Sequence, residues 1–367
     1  MKNRVVVVLA GLLLTAHMAA AGEEPQVGDK PLSELLKQLR GENRGLQMRA
    51  AKALSEAPTN LHATIMPQVI PVLKSEREND KFVAAQILGV YGPMSRAAVP
   101  DLLPMLKGTQ YERNRAAAAK ALGQILKDAK SDKEIDDATA ALVDAFKDSY
   151  EDVRREAATA CGMIGPAAKA CIPSLTPLLK EPPTAVPNMV SVAAAGTCER
   201  MGPLAKEHVD LLLTLVHRYA SDQTPAYVLA LGAIGPVQDN IVPNIYDFME
   251  RGAAWRMVET WQVLQKFGPK AEQVIPFAKR FLTNPQFYGL NDGRTRELTV
   301  IEAMKFLQVA GPKAVDVLPQ VESLINYKYP HNAEDDVTPL MRKEAAKTAG
   351  ILKGTPEAGK TAPGGKQ

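Results

Sequence analysis

The sequence predicts an all-α chain: an α-solenoid of about eight stacked helical hairpins, with a half-repeat cap at each end. Three observations carry that expectation. Gly-Pro recurs at Gly92-Pro93, Gly165-Pro166, Gly202-Pro203, Gly235-Pro236, Gly268-Pro269 and Gly311-Pro312, in steps of 73, 37, 33, 33 and 43 residues, the first long enough for two units. In five of the six repeats another proline follows seven positions after the first, at Pro100, Pro173, Pro243, Pro276 and Pro319; Asp210 holds that place in the sixth. The third observation is the helical spacing of apolar residues inside a unit, read below on Val153–Lys180. A fixed period of this size means two-helix units that bury one another's faces, without a single compact core.

The elements follow in order. Lys2 and Arg4 precede an apolar run from Val5 to Leu14; Ala19-Ala20-Ala21 then stand before Gly22, and Gly22–Lys30 turns abruptly polar. That order reads as a secretory signal peptide over residues 1–21, cut after Ala21. The run falls short of the roughly 20 apolar residues a spanning helix needs. The mature chain is therefore expected to be secreted or periplasmic, with no integral membrane segment. Residues 22–30 read as a polar linker. Pro31–Arg40, with Leu32, Leu35, Leu36 and Leu39 on one face, reads as a lone second helix capping the front.

Eight helical pairs are expected at about 44–75, 78–108, 111–148, 150–181, 187–218, 222–251, 253–284 and 295–326. In the fourth, Glu151 and Asp152 supply acid to a helix start, and Val153, Ala157, Ala160, Cys161 and Ile164 form a small, apolar stripe. Gly165 can take the left-handed conformation that ends a helix, and Pro166 cannot continue it. A second helix is expected from near Ala170, with Pro173 in its first turn, Ile172, Leu175, Leu178 and Leu179 buried, and Lys180 at its end. Val337–Lys353 reads as a lone first helix closing the back. The Gly/Pro/Lys-rich tail, residues 354–367, is expected to be disordered.

Across unit boundaries, Asp101–Ile125 (DLLPMLKGTQYERNRAAAAKALGQI) and Ala141–Gly165 (ALVDAFKDSYEDVRREAATACGMIG) show a leucine-rich helix, a Lys-x-polar turn, Val-Arg-x-x-Ala-Ala (with Asn114 in the place of Val in the first) and a Gly closing the next helix. This resembles the short HEAT-like repeat of bilin-lyase-related proteins over residues 31–353. The Trp-x-x-Leu-Gly-x-x-Tyr and Thr-Pro-Leu-His signatures of the other repeats with similar periods are absent. The residues that carry the resemblance are packing residues, so it implies fold and says little about activity. A bilin-lyase-like, ligand-handling activity stands as one alternative that it implies.

Without Lys2 and Arg4 the chain holds 42 basic against 41 acidic residues, so a broad face for nucleic acid is not expected. Cys161 and Cys198 both lie four residues before a Gly-Pro, a slot that is leucine in the other repeats. Equivalent slots lie one helix spacing apart, about 8–10 Å, too far for a disulfide. Cys161 and Cys171 flank one turn; a bridge between them and buried free thiols both fit.

The aromatic residues point to the C-terminal third: ten of nineteen lie between Tyr246 and Phe306. They read either as larger core residues replacing alanines or as a partly exposed patch for a partner. Connections lengthen at Pro182–Pro187, Pro285–Thr295 and Tyr327–Asp336, on one edge of the stack. Trp255, Phe287, Tyr288, Tyr327 and Tyr329 are the candidate partner-binding residues. Glu334, Asp335 and Asp336 lack the alternating ligand pattern of a calcium loop. Lys74, Lys107, Lys147, Lys180, Arg218 and Arg251 end second helices, where they read either as a row of cations selecting an acidic partner or as dipole compensation without a ligand.

Catalysis finds little footing. No His-Glu dipeptide, His-x-x-x-His, Cys-x-x-Cys, Gly-x-Ser-x-Gly or phosphate-binding loop occurs, so no metal and no cofactor is expected. The expected function is a non-catalytic scaffold binding a protein or peptide through an extended surface. An enzyme with a pocket in the C-terminal third and an architectural envelope component are the alternatives.

Overall fold

The computed structural model describes residues 24–108, 110–181, 188–218, 224–251, 257–284, 293–327 and 337–354. The first helices of the eight pairs are Arg44–Ser55, Glu78–Val90, Glu112–Ile125, Glu151–Ile164, Met189–Met201, Thr224–Ile234, Met257–Phe267 and Gly293–Ala310; Thr338–Leu352 closes the stack. They pack side by side as one layer. The second layer holds Thr59–Val69, Val99–Leu102, Lys133–Ala145, Leu175–Leu179, Val209–Arg218, Ile241–Glu250, Ile275–Thr283 and Leu318–Ile325. The buried residues run between the layers as one continuous band from Val27 to Leu352.

The turn inside each hairpin follows from covalent geometry. All six Gly-Pro glycines have φ between 54° and 84°, a region closed to most side chains, and in every repeat but that of Gly235-Pro236, where the next helix begins only at Ile241, the proline starts a new helical segment at once. That segment is 3-10 in Gly92–Ala98, Gly165–Ser174, Gly202–His208, Gly268–Val274 and Gly311–Val317. The expected start near Ala170 is thus corrected: the second element begins at Gly165 and becomes α-helical only at Leu175–Leu179. Pro173, lacking an N–H, interrupts the ladder between them. Neither the first pair nor the third has a Gly-Pro, and the third shows a substitute for it. There Asp128 takes the left-handed conformation (φ 53°), its amide donates to Met163 O at 3.0 Å, and its carboxylate accepts from Arg200 at 2.7 Å.

At the front, Gln26–Val27 and Lys30–Pro31 form a two-stranded ribbon rather than a bare connector. Val27 is buried, and the Ser33 amide donates to Glu24 Oε1 at 2.8 Å, fixing the ribbon on the Leu32–Leu39 cap. Cys161, Cys171 and Cys198 are free, buried thiols. The neighbouring Cys171 thiol, then burial, push the Cys161 pKa well up, and burial pushes Cys198 up to about 12. Among the described residues no helix is long and apolar enough to cross a membrane.

Candidate functional site

The layer of first helices is not flat. In the alanine-rich half of the chain its outer face holds a groove of about 860 Å³ spanning the first helices of pairs one to four. The helix Glu112–Ile125 supplies the floor through Ala116, Ala117 and Ala121, whose short side chains leave the space open. Phe82, Gln86 and Val90 from the preceding helix form one wall; Asp152, Arg155 and Glu156 form the other, and Lys52, Ser55 and Glu56 close the side nearest the N-terminus. Val90 is 56% exposed and Tyr150, at one end, 50% exposed. Apolar surface and charges of both signs therefore share one concave strip, as at sites that hold a ligand by burial and orient it by polar groups.

A polar spine along the adjoining edge holds these helices in register. Arg115 grips Asp148 with both nitrogens, Nε to Oδ2 at 2.6 Å and Nη2 to Oδ1 at 2.8 Å, and its guanidinium lies 5.4 Å from the centre of the Tyr150 ring. Asp148 in turn accepts from the Tyr150 amide at 2.9 Å, so one buried ion pair sets Tyr150 at the mouth of the groove. Burial works to raise the Asp148 pKa. The Arg115 hydrogen bond, the Tyr150 amide and the charges of Arg115 and Arg154 outweigh it, and the carboxyl titrates below its ordinary range. Arg154 pairs with Glu181 at 3.0 Å, continuing the spine, and Asn188 donates to the Glu181 carbonyl at 2.7 Å.

Where that spine meets the first helices lies a smaller polar pocket of about 370 Å³, lined by Arg44, Arg77, Arg113, Asn79, Asp80 and Glu42 among others. Asp80 is buried and already engaged, by Arg77 Nε at 2.9 Å, Ser75 Oγ at 2.8 Å and Gln47 Nε2 at 2.6 Å. Arg113 lines both this pocket and the groove.

The aromatic cluster of the C-terminal third is core wherever it is described, except Tyr246, which is partly buried against its edge. Trp261 is fully buried, with Phe306, Phe281 and Phe277 ring centres at 5.4, 5.8 and 6.0 Å. Of the candidate partner-binding residues, Tyr327 is half-buried against the core, and its carbonyl accepts from Arg342 Nε at 2.7 Å. Trp255, Phe287, Tyr288 and Tyr329 lie outside the described residues, as do Glu334, Asp335 and Asp336. His208 is a satisfied buried histidine, its Nε2 donating to Ile172 O at 2.8 Å. Among the described residues no His/Cys/Asp/Glu cluster is arranged to hold a metal. The groove itself escaped sequence reasoning; its signal was the alanine run of the third pair, Ala116, Ala117 and Ala121 among it, legible as a helix-forming stretch but not as an open floor.

Two layers of antiparallel helices stacked by short hairpins define a HEAT-type α-solenoid. The solved structures agree at the level of fold. Kap121p bound to Pho4p is similar with a TM-score of 0.63 and 16% identity, over 88% of this chain and 39% of that one. Importin beta is similar with a TM-score of 0.61 and 12% identity, over 89% of this chain and 48% of that one. The chain thus spans less than half the length of these karyopherin structures. The complex of CpcE and CpcF of phycocyanin lyase from Nostoc sp. PCC7120 is a looser match, with a TM-score of 0.41 and 20% identity over 70% of this chain and 96% of that one. No family model matches the sequence, and no curated protein does.

Proposed function

We propose that this chain is an exported, non-catalytic scaffold that holds a segment of a protein partner in the groove over its first four hairpins. The observation that carries the reading is the groove itself: a concave strip crossing four successive helices, with an alanine floor and a rim of exposed apolar and charged side chains. Three interhelical steps of about 8–10 Å suit an extended segment better than a compact small molecule. Structures of Kap121p bound to Nup53p and to Pho4p show a similar fold in complex with other proteins. Export rests on the signal-like N-terminus, and the absence of catalysis on the lack of any reactive constellation in the sequence.

The test is affinity capture with the tagged mature chain, beginning at Gly22, from the envelope or medium of the producing cell. Ala116→Trp fills the floor and Gln86→Trp the wall. Both should release the captured protein while far-UV circular dichroism stays helical. A partner that both variants retain, or recovery of the bait alone, overturns the proposal.

A further inference from the structure

Arg113 is the residue common to the groove and the 370 Å³ pocket, and its guanidinium is built into place. It lies 4.8 Å from the centre of the Phe82 ring, and its Nη2 donates to Asn79 Oδ1 at 2.6 Å. Yet no carboxylate among the described residues pairs with it. The neighbouring arginines differ: Arg77 takes Asp80 at 2.8 Å, Arg115 takes Asp148, and Arg155 takes Asp152 at 2.8 Å and Glu156 at 2.9 Å. Arg44, exposed at the first residue of its helix, also has no carboxylate among the described residues.

The surroundings favour an anion at this point. Arg77 already neutralises Asp80, which leaves Glu42 as the opposing charge in the pocket. Arg44, Asn79 and Arg113 stand in the first turns of three successive helices of 12, 13 and 14 residues, whose N-termini add partial positive charge. Glu56, Glu151, Asp152 and Glu156 flank the groove elsewhere and Glu112 precedes Arg113 on its own helix, so the preference for negative charge rests on the pocket side of Arg113, where Glu42 is the one acid that Arg77 does not neutralise.

Resting on the groove reading above, we infer that the bound segment is acidic at one end, and that a carboxylate of that end pairs with Arg113, with Arg44 as the second cation. A guanidinium already fixed by a ring and an amide oxygen loses little freedom on taking a carboxylate.

A random-peptide phage library selected on the mature chain separates this inference from the reading it rests on. Enriched peptides should carry Asp or Glu, and Arg113→Gln should weaken a synthetic copy by about 10- to 100-fold in fluorescence anisotropy. Arg44→Ala, an exposed change that leaves the packing alone, should weaken it less. Arg113→Glu should recover binding when the peptide's acid is replaced by Lys. Peptides that lose binding to Ala116→Trp but contain no carboxylate, or that ignore both arginine variants, overturn the acidic anchor and leave the groove standing. No enrichment, or peptides indifferent to Ala116→Trp, overturns the groove reading and this inference together.

Discussion

Arg115 and Asp148 lie 33 residues apart and are almost wholly withdrawn from water, with side chains 6% and 8% exposed. Removing one partner of such a pair strands the other charge, which costs about 3–5 kcal/mol. Asp148→Asn should therefore lower stability by about that amount, read from chemical denaturation midpoints. It should also release Tyr150, whose amide and ring the pair positions. The pH dependence has a definite sign. A carboxyl that titrates lower in the folded chain than in the unfolded one contributes fully above the unfolded pKa, about 3.9. Its contribution fades as pH falls through the folded value. The gap between wild type and Asp148→Asn should be constant between about pH 5 and pH 8 and should close below about pH 4.

Helix against helix, the spacing is set by one slot, three residues before the turn glycine. Gly89, Gly162 and Gly232 fill it in three of the first four Gly-Pro repeats, Glu199 in the remaining one, and Gln265 and Gln308 in the last two. Gly123 plays the part in the third pair: a Cβ there would lie 2.6 Å from the Ala160 Cα. In the late repeats the glutamines reach the next helix instead, Gln265 Nε2 donating to Glu302 O at 3.1 Å and Gln308 Nε2 to Thr348 Oγ1 at 2.8 Å. Gly123→Ala should thus cost about 1–3 kcal/mol through overpacking. Gly196→Ala, in a helix where an added Cβ meets nothing within 4 Å, should gain about 0.5–1 kcal/mol. Thermal midpoints moving the same way would refute this account of the slot. The pattern also shows what the sequence could and could not convey. Gly-Pro fixes backbone geometry by itself, so the hairpins and their order were legible. The 3-10 start of the second helices was not, because it depends on how Pro166 and Pro173 share one short segment. The groove was not either: periodicity identifies an alanine face without saying whether a neighbour covers it. Trp261 and its phenylalanines stood out because aromatic residues mark volume, and volume is equally conspicuous in a core and on a surface.

A stack held by nearest neighbours has no centre whose loss unfolds everything. Its packed pairs of helices are adjacent in the repeat order, and Arg200–Asp128 is a side-chain tie reaching 72 residues along the chain. Stability should then be local, a sum of unit and interface contributions. The closing helix offers a clean test, since Met341, Ala345, Ala349 and Leu352 bury its inner face on the last pair. Ala345→Asp places an unpaired carboxylate at a fully buried position, a change worth several kcal/mol, on the order of 100-fold or more in local opening. Amide exchange should accelerate by that factor in Gly293–Ala310 and Leu318–Ile325 and stay at its wild-type rate in Glu112–Ile125. Peptides selected on the groove should bind this variant undiminished, because the groove and the closing helix stand at opposite ends of the stack. Exchange that rises equally along the chain would mean that the repeats share one cooperative core, and the independence of the groove from the far end would be lost with it.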